Sequence, residues 1–161
     1  MKFLLLVLAG LALVPISAVA AEPHSGDHPE ARPFEQEADA SALIDTALAR
    51  AQLAGKRVIV VMGANWCHDS RGLAGWFAQP RFAAMLEPRY EVVYVDVGFK
   101  DRNIDIAQRF GVATIKGTPT VLVLSPQGEL LNRKSAPKWR NAASRTEEDI
   151  FTYFDQFSPE R

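Results

Sequence analysis

Cys67 is the only cysteine among 161 residues, and it stands in the run Trp66-Cys67-His68-Asp69-Ser70, just after the apolar stretch Val58-Ile59-Val60-Val61-Met62. A strand that turns into a helix here holds the thiol at the positive end of that helix. Backbone N–H groups and the helix dipole there favour thiolate over thiol, and the thiolate is the nucleophile of disulfide exchange. Three places on, where a C-x-x-C motif has its second thiol, the chain has Ser70. Attack on a target disulfide is therefore open to Cys67. Release from the resulting mixed disulfide is not open to Ser70, because a hydroxyl is neither acidic nor nucleophilic enough to displace a thiolate from sulfur. Ser70 is expected instead to donate a hydrogen bond to the Cys67 sulfur from one helical turn away. A cationic His68 would help the thiolate and Asp69 would oppose it. The competing reading makes Cys67 a small buried hydrophobe.

The elements that must position this run follow from periodicity. Residues 37–54 place Leu43, Ile44, Ala47, Leu48 and Ala51 on a helical stripe, and Gly55 ends it. The stretch 57–62 is too continuously apolar for a one-sided surface strand and predicts a central one. A helix is expected from Cys67 towards Gln79, with Trp76 and Phe77 in core positions, and a shorter one over 82–86. Further strands are expected at 90–97, 120–124 and 129–132, the last two joined by the turn Ser125-Pro126-Gln127-Gly128. Residues 98–103 read as a polar loop before a helix at 104–110, and 133–143 as a basic surface loop. Ser144-Arg145-Thr146-Glu147 is a capping box for a last helix carrying Ile150, Phe151, Phe154 and Phe157. Helices and strands in this order predict an α/β chain with a mixed four- to five-stranded sheet in three layers, α/β/α. Arg71 and Lys116 are expected in solvent.

A hydrophobic content of 48%, a charged content of 23% and a formal net charge of −1 suit one globular domain and argue against nucleic-acid or anionic-membrane partners. Residues 1–20 read as a cleavable export signal: Lys2, an apolar run from Phe3 to Val14, Pro15, and the small-residue site Ala18-Val19-Ala20. A retained anchor is the alternative, but the run is short for a span. No lipoprotein anchor is expected. Residues 21–36 read as a flexible lead-in to a domain over 37–161. His24 and His28 in that lead-in invite a metal reading, yet two histidines in a polar tail are ordinarily solvated, and no metal site is expected. Export would place Cys67, without a partner in its own chain, in an oxidising periplasmic or secreted setting.

Four features in register resemble the thioredoxin superfamily: the apolar strand into Trp66-Cys67-x-x-Ser70, the Val95-Asp96 strand end, the helix exit Phe110-Gly111-Val112, and Gly117-Thr118-Pro119-Thr120 before an apolar strand. The resemblance implies a three-layer thioredoxin-like fold over roughly 38–132 plus the last helix. It also implies a cis Thr118-Pro119 bond, with the Thr118 backbone facing Cys67 and able to pair with an incoming peptide. The candidate catalytic residues are thus Cys67 and Ser70, and the candidate substrate contacts are Trp66, His68, Thr118 and Pro119. Three departures stand out: Ser70 for the resolving cysteine, Val61 where thioredoxin has a buried Asp, and His68-Asp69 between the two motif positions. The functions that follow are one-thiol exchange with a protein or glutathione, released by an external thiol; a peptide-binding module without turnover; or a domain kept for assembly. No cofactor is implied beyond glutathione as an external thiol, and a monomer and a Cys67–Cys67-linked dimer are both open.

Overall fold

The computed structural model describes residues 28–159. The expected export signal, its cleavage site and His24 lie outside them. Among the described residues no helix is long and apolar enough to cross a membrane.

Strand β1 (Arg57–Gly63) is the centre of the sheet. It pairs in parallel with β2 (Tyr90–Asp96), Val60 opposite Val93, and antiparallel with β3 (Thr120–Leu124), Val60 opposite Leu122. Its unbroken apolar run has a simple cause: both faces are covered. Val58, Val60 and Met62 point to one core with Ile44, Ala51, Ile106 and Leu122. Ile59 and Val61 point to the other, with Leu73, Phe77, Phe82 and Phe154. Each such fully buried Val or Ile contributes about 1.5–3 kcal/mol.

Helix α1 (Ala40–Ala54) lies on the first face. Asp39 caps it by accepting the Ala42 amide at 3.0 Å, and Gly55 ends it at φ 66°, a left-handed conformation that glycine adopts without a Cβ clash. Its buried stripe is Ala40, Ile44, Ala47 and Ala51; Leu43, expected on that stripe, lies off it and is 45% exposed. Helices α2 (His68–Phe77) and α3 (Pro80–Leu86) cover the other face, Pro80 opening α3 where its missing N–H costs nothing. Helix α4 (Ile104–Arg109) joins the first face, and α5 (Glu147–Gln156), capped by Thr146, joins the second. The three layers are those expected.

Three expectations are corrected. The sheet has three strands, not four or five, among the described residues: the stretch 129–132 is reduced to one bridge between Leu124 and Leu130. The Asn132 side chain takes the place of the next backbone unit, accepting from the Val123 amide and donating to the Val121 carbonyl, both at 2.9 Å. The ladder groups of β3 are satisfied there without a further strand. Second, the segment 133–143 is no surface loop. Two 3₁₀ turns, Ala136–Trp139 and Ala142–Ser144, bury Ala136, Trp139 and Ala142, and Trp139 stacks on Phe154 with ring centroids 4.9 Å apart. Third, the part of the lead-in that is described packs on the domain. Phe34 is 2% exposed, and the Ala31 amide donates to the Arg71 carbonyl at 3.1 Å. Two glycines of α2 make room for this strap: a Cβ on Gly75 would overlap the Pro29 carbonyl, and one on Gly72 would come to 3.0 Å of the His28 ring.

Candidate functional site

β1 ends at Gly63, and the turn 64–66 delivers Cys67 as the N-cap of α2, its amide donating to the Ala64 carbonyl at 3.1 Å. Cys67 does not cap the helix with its side chain. Its sulfur lies against the loop before β3 instead, donating to the Thr118 carbonyl at 3.3 Å. The Thr118-Pro119 bond is cis. Cys67, Thr118 and Pro119, separated by some fifty positions in sequence, are thus brought together. Cys67 keeps only 8% of its surface exposed.

Ser70 takes no part in that contact. It is fully buried, and its hydroxyl has no partner among the described residues. It faces the end of β1, so close that a Cβ on Gly63 would sit 2.6 Å from its oxygen and 2.9 Å from the Phe34 ring. The expected hydrogen bond from Ser70 to the Cys67 sulfur is absent.

The cation near Cys67 is Arg71, expected in solvent and found instead to organise the turn. It donates to the Trp66 carbonyl at 2.9 Å, to the Asn65 carbonyl at 3.2 Å, and to both oxygens of Glu30, at 2.9 and 3.2 Å. Hydrogen bonding and charge attraction to Glu30 raise the Arg71 pKa above the ordinary guanidinium value. Arg71 is thus fixed one helical turn after Cys67, with its charge paired to Glu30. Asn65 holds the strap to the same turn, donating to the Phe34 carbonyl at 2.8 Å and accepting its amide at 3.3 Å.

Trp66 forms the exposed wall. It is 50% exposed, stacks on Phe99 at 5.2 Å with rings 15° from parallel, and donates to the Gly98 carbonyl at 3.0 Å. Phe99, 75% exposed, was hidden in what reads as a polar loop. One aromatic three residues past the Val95-Asp96 strand end was the available signal. His68 projects outward, its Nε2 2.8 Å from the Nε2 of His28. Asp69 accepts the Ala143 amide at 2.9 Å and so ties the first turn of α2 to the second 3₁₀ turn. Lys116 is exposed, as expected.

The Glu30–Arg71 contact has a pH signature. The Arg71 guanidinium holds the Glu30 carboxyl below its ordinary value of 4.5. A folded-state pKa that is depressed adds stability that is present above the ordinary value and lost as pH falls through the lower, folded one. The strap should stay seated at pH 6 and loosen below about 4.5. The protection factor of the Ala31 amide in hydrogen exchange should fall across that acid window, and Glu30→Gln should flatten the step. Unchanged protection down to pH 3 would mean that the ion pair does not hold the strap.

Comparison with known proteins agrees with this architecture. The sequence profile described as "Thioredoxin-like" matches residues 39–126. A disulphide isomerase from Xylella fastidiosa Temecula1 is similar at 30% identity, over 79% of this chain and 97% of that one, with a TM-score of 0.74. A thioredoxin from Thermus thermophilus is similar at 26% identity, over 70% of this chain and 82% of that one, with a TM-score of 0.53. No protein of curated function matches the chain. With its profile match spanning more than half of its length, the chain belongs to the thioredoxin-like family.

Proposed function

We propose that this protein is a one-thiol disulfide exchanger acting through Cys67. The observation that carries the reading is the placement of the only thiol: at the N-cap of α2, against the Thr118 carbonyl, beside a fixed guanidinium. The likeness to a disulphide isomerase and a thioredoxin supports it. In the first step the Cys67 thiolate attacks one sulfur of a target disulfide. An S–S bond forms to Cys67, the target S–S bond breaks, and the other sulfur leaves as a thiolate. In the second step an external thiolate, from glutathione or a protein, attacks the mixed disulfide and restores Cys67. One disulfide is consumed and one is formed, so no oxidant is needed. Ser70 contributes no leaving or attacking atom.

The substrate side of the site would be the Trp66–Phe99 pair with His68 and the backbone of Thr118 beside Pro119. The apolar pair also favours a second reading, a module that holds extended peptide without turnover. Export through residues 1–20 belongs to the same proposal and would give the thiol disulfide-bonded clients, in the periplasm of a Gram-negative cell.

Alkylation of the native protein near neutral pH tests the common premise. Cys67 should label within minutes without denaturant, and a glutathionylated peptide should be turned over with glutathione as reductant. Labelling only after denaturation would overturn both readings. Labelling without turnover would favour the peptide-holding one.

A further inference from the structure

We propose that His28, Glu30 and His68 form a binding site for a divalent transition-metal ion of the zinc class, at the rim of the Cys67 site. The ligand atoms of these three residues all lie within 4.8 Å of one another. The two Nε2 atoms are 2.8 Å apart, and the Glu30 Oε1 is 3.9 Å from the His68 Nε2. Two neutral imidazoles can make so short a contact only by sharing one proton between facing nitrogens. When the ring that carries this proton takes its other tautomer, with the proton on Nδ1, both Nε2 lone pairs face the gap and a metal ion can take them.

The site is held in place from behind. The His28 Nδ1 lies 3.3 Å from the Pro29 carbonyl, and a proton donated there leaves Nε2 free to bind a metal, the arrangement that orients ligating histidines elsewhere. The His28 ring rests over Gly72, where a Cβ would press on it at 3.0 Å, and the Pro29 backbone over Gly75, where a side chain would displace the strap. Glycine inside a helix costs about 1 kcal/mol relative to alanine. Glu30 is fixed by Arg71 through both oxygens and can turn Oε1 to the ion while Oε2 keeps the stronger contact at 2.9 Å. Tetrahedral zinc, with bonds of about 2.0–2.1 Å, sets neighbouring ligand atoms about 3.3 Å apart. The histidines must therefore open slightly and Glu30 approach, which the exposed His68 side chain permits. Two imidazoles and one carboxylate suit zinc and its first-row neighbours rather than calcium or magnesium, which prefer all-oxygen shells. The fourth position is left to water. Because His28 comes from the strap and His68 from the residue after Cys67, an ion here would pin the strap to the start of α2.

Titration of the untagged full chain with Zn2+, followed calorimetrically, should give one site per chain, and Zn2+ should raise the thermal unfolding midpoint. His28→Ala and His68→Ala should each weaken binding by about tenfold or more, and Glu30→Gln should weaken it less. Cys67→Ala and His24→Ala should leave it unchanged. Since the His28 and His68 rings are at least partly exposed, the unfolding midpoints of both variants without metal should match the parent's, so lost binding is not lost folding. Undiminished Zn2+ binding in the His28→Ala/His68→Ala double variant would overturn the assignment. So would loss of binding on replacing Cys67 or His24 instead.

Discussion

Cys67→Ala should abolish adduct formation with glutathione and lower glutathione-dependent turnover of a glutathionylated peptide by at least about a hundredfold, to the uncatalysed rate. The chain holds no other sulfur nucleophile, so no residue can take over the attack. The variant should remain folded. The Cys67 side chain makes one hydrogen bond, from its sulfur to the Thr118 carbonyl at 3.3 Å, and truncating this small buried side chain costs about 1 kcal/mol. Mass spectrometry of the intact protein reads the adduct, and a coupled assay of glutathione disulfide reads the turnover. Residual turnover in folded Cys67→Ala would place the chemistry elsewhere and end the proposal.

Ser70→Cys should convert the protein from one thiol to two and raise insulin disulfide reduction by about tenfold or more. A second thiol one helical turn from Cys67 attacks the mixed disulfide from within, at a local concentration no external thiol reaches. The environment of position 70 favours the exchange. Its hydroxyl is buried without a partner, a situation that costs about 1–3 kcal/mol, whereas a thiol tolerates burial as a small hydrophobe. Ser70→Ala is the matched control: it should be as stable as the parent or more so, and show no gain in reduction. Gly63 and Phe34 bound the space for the larger sulfur, so thermal unfolding of Ser70→Cys must be checked first. A folded Ser70→Cys protein with a reactive Cys67 and no gain in reduction would show that the groove does not present substrates for exchange. Val61, buried at the centre of β1, supplies no carboxylate to activate the new thiol, so the gain should fall short of a full two-thiol enzyme.

The central strand and the flanking helices were legible because their signals are local. An apolar run covered on both faces reads as such, and so do the stripe of α1 and the Gly55 stop, whereas the capping box expected to start at Ser144 is replaced by a cap from Thr146, which accepts the Asp149 amide. The last strand misled because its pattern is genuine, but beyond the Leu124–Leu130 bridge it meets β3 through the Asn132 side chain rather than through further backbone. Residues 133–143 misled for another reason. Ala136, Trp139 and Ala142 recur every three residues, the 3₁₀ period, and a search for periods of two and 3.6 passes over it.

The site divides along the same line. That a lone thiol follows an apolar strand, opens a helix and shares the chain with a Thr-Pro loop is written in residue order, since strand, turn and helix start are adjacent. Which groups surround that thiol was decided only by the packing of distant segments. Arg71 looks like any solvent cation until Glu30 and two turn carbonyls converge on it. Ser70 looks poised towards Cys67 until Phe34 and Gly63 enclose it. His28 looks like a solvated tail residue until the two glycines of α2 let the strap lie down beside His68. Adjacency along the backbone is encoded residue by residue, whereas contact between the strap and α2 depends on burying Phe34, an energy that exists only once the layers have closed.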